Sequence, residues 1–405
     1  MLIAERLLYF YRFRQGSSVS DTGRFRTAPR PNESRNVRFV ISGDSDGTRV
    51  DGVPPYSNFE VLDRAREGEP DFFIYLGDTI YADSAFGPKA TTLEAFRANY
   101  KENRGYNALR ALMASTSTYA MWDDHEVEND WDGETVDPML MAAGLQAFQE
   151  YMPLREPSRW PSRLFRTFRW GKEVELIILD ERQYRSADAE PSCLLAPDVP
   201  DPVPTLPPVI RLAVGLPPSP PSGCLETLHD STRTMLGAVQ KAFLKVVLLA
   251  SQATFKFIIN EVPITELFGL PYDRREGYRT ERNELLEFIR THQIKNVVFL
   301  TTDIHANLVA DVRLDTFKDR TPIAKEVVVG PIAQATLQQE LEGVLGSDAD
   351  KVVALLTLLL QPDCIQLDAF AYGFVEVDAA KKAATITLKD DRGEPFCRVT
   401  LFATE

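Results

Sequence analysis

Short apolar runs that stop at polar residues recur along the chain. Five share one design: VRFVIS leads to Asp44-Ser45-Asp46, FFIYLG to Asp78, STYAMW to Asp123-Asp124-His125, FKFII to Asn260-Glu261, and NVVFLTT to Asp303-Ile304-His305. Nearly unbroken apolar runs of this length read as strands buried on both faces of a sheet. Helical spacing fills much of the intervening chain, over 58–67, 92–113, 138–151, 234–250, 282–292 and 348–361. Alternation of this kind predicts an α/β fold built on parallel strands.

Other stretches are quieter. Residues 1–16 alternate like one or two strands, and 17–34 reads as an extended polar linker. A hairpin is expected over 168–179, turning at Trp170-Gly171. Residues 189–223 are dense in proline and have no period, which marks a surface insertion or lid. Two strands, 369–377 and 383–388, and a last one near the terminus close the chain.

Composition narrows the function classes. The chain has 405 residues, 44% hydrophobic and 26% charged, as expected of a globular protein rather than a disordered one. A formal charge of -14 argues against sequence-independent binding to nucleic acid or an anionic membrane, which needs a basic face. The longest apolar runs, such as 352–360, fall short of the ~20 residues that span a bilayer. MLIAERLLYFYRFRQ does not read as a signal peptide, because charges interrupt its apolar part. Cys193, Cys224, Cys364 and Cys397 have no metal-ligand spacing and suggest no disulfide framework, although Cys193 and Cys224 bracket the proline-rich stretch as a candidate pair.

The strand ends carry the chemistry. Gly77 frees the backbone just before Asp78, and ligands of open α/β sheets collect beyond the carboxyl ends of strands. If the five strands are neighbours in one sheet, their ends bring several carboxylates together, and bare carboxylates in a low-dielectric crevice repel one another. Divalent or trivalent cations remove that cost. Oxygen-rich ligation with one or two histidines suits calcium, iron, manganese or zinc. Two such ions sharing Asp78 would clamp a phosphoryl oxygen and activate water, with His125 beside Asp124 as proton donor. Asp46 also suits a tight DSDG turn. Asp180, Arg182 and Tyr184 read as a structural salt-bridge corner, and His229 and His292 as ordinary histidines.

GDTIYAD, WDDHEVEND, LDERQYR, ATFKFIINEV, REGYRTER and TTDIH together resemble the PhoD-like alkaline phosphatases and phosphodiesterases of the calcineurin-like metallophosphoesterase superfamily. The resemblance implies a four-layer αββα sandwich, with mixed or parallel sheets flanked by helices and a metal centre at the strand ends. It implies metal ligands at Asp44, Asp46, Asp78 (bridging), Asp124, Asn260, Asp303 and His305, and catalytic roles for His125 and Asp124. Tyr81, Asp83 and Arg275 are further candidates for ligands or substrate contacts, with a surface role as the other reading of Arg275. Where relatives have Ser-Cys-Gln this chain has Ser42-Gly43-Asp44, so a thiolate ligand is missing. Residues 1–36 look like the remnant of an Ig-like domain with its linker, ahead of a catalytic domain over 37–405 that carries the insertion 189–223. Relatives of this kind are commonly exported, although the sequence carries no signal for it. The expected function is metal-dependent hydrolysis of phosphate mono- or diesters by activated hydroxide, with two or more metal ions as cofactors and a phosphate ester as substrate. The alternative is a metal-holding, inactive binding protein of the same fold.

Overall fold

A computed structural model describes residues 7–152, 154, 162–319 and 321–404. Four strands come first, β1 (Leu8–Tyr11), β2 (Arg14–Gln15), β3 (Ser18–Val19) and β4 (Gly23–Arg26), paired antiparallel as β1 with β4 and β2 with β3. The first six positions of the predicted 1–16 segment lie outside the described residues. Next come β5 (Val37–Ser42), β6 (Phe72–Tyr75) and β7 (Ser117–Ala120), then the hairpin β8 (Arg166–Trp170) and β9 (Val174–Ile178). The insertion holds a small ribbon, β10 (Leu194–Ala196) and β11 (Val199–Pro200). After it run β12 (Phe255–Ile259), β13 (Val297–Thr301), β14 (Asn307–Val312), β15 (Ala324–Val328) and β16 (Cys364–Gln366). The antiparallel trio β17 (Ala371–Asp378), β18 (Ala383–Asp390) and β19 (Pro395–Phe402) ends the order.

These strands build two large mixed sheets, ordered β19-β18-β17-β5-β6-β7 and β16-β14-β15-β13-β12-β9-β8. The five acid-tipped strands are therefore divided between the two sheets, so the one-sheet condition for their convergence is not met, as the αββα expectation implies. β5, β6 and β7 lie side by side and parallel in the first sheet, while β12 and β13 are parallel neighbours in the second. Convergence comes instead from stacking the sheets face to face.

Side-chain alternation shows why they stack. Phe39, Ile41, Phe72 and Ile74 point into a core shared with Leu176, Ile178, Phe257, Ile259, Val298 and Leu300 of the other sheet. Their neighbours Val40, Phe73 and Tyr75 point the opposite way, onto helices Glu60–Glu67, Leu93–Asn103 and Asn107–Ser115. On the far side Ile177, Ile258 and Phe299 meet helices Gly237–Ala250 and Arg279–Thr291. Both faces of each sheet are thus apolar, and burying both requires the four αββα layers.

Most predicted helices are present, Pro138–Tyr151 with the predicted bounds. The stretch over 92–113 is two helices, broken at 104–106, where the amide of Gly105 closes a turn on Glu102. Helix Leu337–Leu345 and strands β14 and β15 were not anticipated. The candidate pair Cys193–Cys224 is bonded and pins the ends of the insertion, while a second disulfide, Cys364–Cys397, corrects the cysteine reading and joins β16 to β19, the edge strands of the two sheets. Within the insertion Arg211 and Asp201 form an ion pair in which both side chains are fully buried, while Leu206 packs onto Leu267, Phe268 and Leu308 outside it.

Candidate functional site

At the carboxyl ends of β5, β6 and β13 the backbone turns sharply enough to leave the usual regions. Asp44 (φ 56°), Asp78 (φ 47°), Asp303 (φ 73°) and His305 (φ 49°) are all left-handed, as is Gly77 at φ 110°. Non-glycine residues held this way cost about 1–3 kcal/mol each and cluster where a side chain must be aimed. Here they turn Asp44, Asp78 and His305 toward one point.

Two groups of potential ligand atoms result. Asp44, Asp78 and His305 present atoms within 4.8 Å of one another, and so do Asp78, Asp124 and His125. Asp78 belongs to both. It is buried, and burial together with the charges of Asp124, Asp123, Glu126 and Asp44 pushes its carboxyl well above the usual range. Asp44 is raised too, by burial, against the pull of His305 and hydrogen bonds from Thr302 and the amide of Asp303.

Each histidine is held by one carboxylate. Nδ1 of His125 lies 2.6 Å from Asp83, whose other oxygen accepts from the amide of Asn129 at 2.7 Å. Nδ1 of His305 lies 2.7 Å from Glu340 on the unanticipated helix Leu337–Leu345. Between the rings sits Tyr81, stacked on His125 with centroids 4.1 Å apart and its hydroxyl 2.9 Å from Nε2 of His305. Burial opposes a charged His125, but Asp124 and Asp83 push it up to about 9. Tyr81 is driven well above its ordinary value by burial and by Asp78 and Asp44.

Asp124 contrasts with Asp78. Burial would raise it, but Arg182 and His125 hold it below the usual carboxylate range. Its oxygens accept from the amides of His125 at 2.9 Å and Asp130 at 2.7 Å. Beneath it, Glu126 accepts from the amide and hydroxyl of Thr79, both at 2.6 Å, and from the amide of Asp123 at 2.8 Å, locking the β6 and β7 loops together.

The remaining candidates divide. Asn260 is fully buried; its amide nitrogen donates to Val262 at 2.7 Å while Oδ1 meets no partner among the described residues. Asp303 faces Arg182 at 3.6 Å, beyond hydrogen-bond length. Asp46 joins neither ligand group: its oxygens accept from the amide of Thr48 at 2.9 Å and the hydroxyl of Ser84 at 2.6 Å, which is the turn role its DSDG context allows. Asp83 likewise joins neither group and orients His125 instead. Arg275 is not at the surface. It is 1% exposed and paired with Glu181 and Glu281, so the structure gives it a buried ionic role. Gly43 stands where the resemblance expects cysteine, and a Cβ there would lie 2.9 Å from Thr302 Cγ2 and 3.1 Å from the Gly77 carbonyl oxygen. That place is filled by the close approach of the two sheets.

Arg182 is the residue whose reach the sequence concealed. LDERQYR follows β9, so Arg182 is one more residue beyond a strand end, and that was the available signal.

The pattern of the PhoD-like phosphatases matches residues 51–388. The chain belongs to the PhoD-like phosphatase family. It is 26% identical to alkaline phosphatase D of Bacillus subtilis (strain 168), in a match covering 80% of this chain and 55% of that protein. The chain thus spans about half the length of the curated relative it matches. The solved structure of PhoD superposes with a TM-score of 0.72 at 22% identity, covering 99% of this chain and 78% of that one. Purple acid phosphatase PPD1 from yellow lupin (Lupinus luteus) seeds gives 0.58 at 13% identity, covering 98% and 60%. Both likenesses establish the αββα fold. No helix among the described residues is long and apolar enough to cross a membrane.

Proposed function

We propose that the chain is a metal-dependent phosphoesterase that hydrolyses phosphate mono- or diesters at the β5, β6, β7 and β13 ends. The observation that carries this reading is Asp78, a buried carboxylate common to two Asp/His groups. The donor set fits hard or borderline cations, being rich in oxygen with His305 as its one histidine and His125 kept as the proton donor beside it. The unpartnered Oδ1 of Asn260 fits as well, because a buried amide oxygen costs free energy unless something ligates it. Asp44, Asp78, Tyr81 and His305 would hold one ion, and Asp78, Asp124, Asn260 and Asp303 the other. Bound ions supply positive charge to the phosphoryl oxygens and acidify a water.

The chain's own groups do the rest. Asp83 fixes the ring of His125 through Nδ1, which leaves Nε2 to deliver a proton to the departing alkoxide. Asp124 keeps that ring protonated by its charge. Glu340 orients His305 so that Nε2 faces Tyr81 and the site. Elemental analysis of purified protein, with aryl phosphate monoester and diester assays across added Ca²⁺, Mn²⁺, Zn²⁺ and Fe³⁺, tests the reading. Bound metal with turnover of either ester is expected; bound metal without turnover across metals and pH would leave the inactive binding protein.

A further inference from the structure

One fully buried guanidinium touches carboxylates from three loops. Nε of Arg182 donates to Asp123 at 2.7 Å, and Nη1 and Nη2 grip Asp273 at 2.7 and 2.9 Å. The same Nη2 lies 3.6 Å from both Asp124 and Asp303. The hydrogen bonds are spent on Asp123 and Asp273, which fix the position of the cation. Its charge is then offered to Asp124 and Asp303 at a distance too long for a hydrogen bond but strong in Coulomb terms where solvent is excluded. Asp273 also pairs with Arg185, so its own charge is shared between two cations.

This charge is one-sided. None of the ion-pair partners of Arg182 among the described residues belongs to the group of Asp44, Asp78 and His305. On that side the neighbours are Glu340, which adds negative charge through His305, and Tyr81. The two halves of the site share Asp78 yet differ in their flanks: Arg182 with its partners Asp123 and Asp273 on one, the Glu340 carboxylate on the other.

We propose that Arg182 is a positioning residue that makes the Asp124–Asp303 half the weaker, exchangeable half of the two-ion site. The inference rests on the metal-dependent reading above. A guanidinium against two ligands withdraws part of their charge from an ion bound between them, while holding both carboxylates in place when the ion leaves.

Calorimetric titration of the metal-depleted full chain with Mn²⁺ reads the effect without any assay of turnover. The native protein is expected to bind with two separable affinities. Arg182→Gln is expected to tighten the weaker one by at least about tenfold and move the tighter one less. Breaking a buried ion pair can unfold a protein, so Asp273→Asn provides the opposite lever. It leaves the guanidinium less compensated and should weaken the weaker affinity several-fold, while Arg182→Lys, which keeps the charge, should stay near the native pattern. In protein shown folded by circular dichroism, an unchanged or tightened weaker affinity in Asp273→Asn would overturn the role of Arg182. Equal shifts of both affinities would do the same. Failure of the native chain to bind Mn²⁺ at all would instead remove the metal reading, and this inference with it.

Discussion

Buried carboxylates in this protein are of two kinds, and the difference lies in what their oxygens have left to accept. Glu326, fully buried, takes the amides of Ile264 at 2.9 Å and Thr265 at 2.8 Å and the hydroxyl of Thr301 at 2.8 Å. Glu276 takes the amides of Leu267 and Phe268 at 2.8 and 3.1 Å. Such glutamates reach back across a loop and are saturated by backbone donors, so they act as staples. The aspartates at the strand ends are aimed at one another instead. Asp78 takes a 3.3 Å bond from the amide of His125, and among the described residues the carboxylate of Asp303 has Arg182, 3.6 Å away, as its ion-pair partner. Equal burial and equal charge therefore give opposite functions. A saturated carboxylate stabilises a loop; one with acceptor capacity to spare is, on the proposed reading, open to a cation.

The sharpest way to break that distinction is Asp78→Asn. It should abolish Mn²⁺ binding in both halves by calorimetry and lower turnover by about a thousandfold or more, since both ions depend on it. Next is His125→Ala, expected to cost about a hundredfold in kcat with metal content unchanged by elemental analysis; loss of metal would make His125 a ligand rather than a proton donor. Glu326→Ala probes the other kind. Removing three buried hydrogen bonds to a carboxylate should cost about 3 kcal/mol or more in denaturant unfolding while leaving metal stoichiometry intact. Chelation is the mildest test. If the aspartates repel when bare, EDTA should lower the unfolding free energy of the native chain by about 2–3 kcal/mol relative to protein at a hundredfold excess of Mn²⁺ over its Kd. The Asp78→Asn chain should show no such difference.

Much of this was legible in the sequence because buried strands print themselves as unbroken apolar runs, and the residue after each run inherits the strand's direction. That ground marked the clusters that hold Asp44, Asp78, Asp124 and His305, and the family resemblance picked these residues out of them. That they come from two sheets could not be read from the runs, because an apolar run does not record which sheet it joins. Asp46 suited a DSDG turn as well as a ligand role, and its oxygens are taken up by the amide of Thr48 two residues on and by the hydroxyl of Ser84, which only the fold brings near. Arg182 and Glu340 were hidden for another reason: their partners are 59 and 35 residues distant, and pairings of that range exist only in the fold. Helix Leu337–Leu345 buries no residue, yet Leu337, Leu341, Val344 and Leu345 stand at helical spacing behind a Thr336/Gln339 capping box, a short signal that the reading passed over. The Cys364–Cys397 pair needed the order of edge strands, which spacing does not encode.

That disulfide has a mechanical meaning. It binds the two sheets along one margin, like the spine of a book. At the opposite margin β7 and β8 are held by a latch of weaker bonds, the Trp170 indole to the Tyr119 hydroxyl at 2.9 Å and the Arg166 guanidinium to the Ala120 carbonyl. Any parting of the covers must therefore swing from the spine, with the widest travel at the latch. Asp124 and His125 leave the sandwich directly beyond β7, whereas Asp44 leaves it from β5, two strands nearer the spine. Asp124 therefore stands two strands farther from the spine than Asp44, while Asp303 and His305, both beyond β13, stand level with each other.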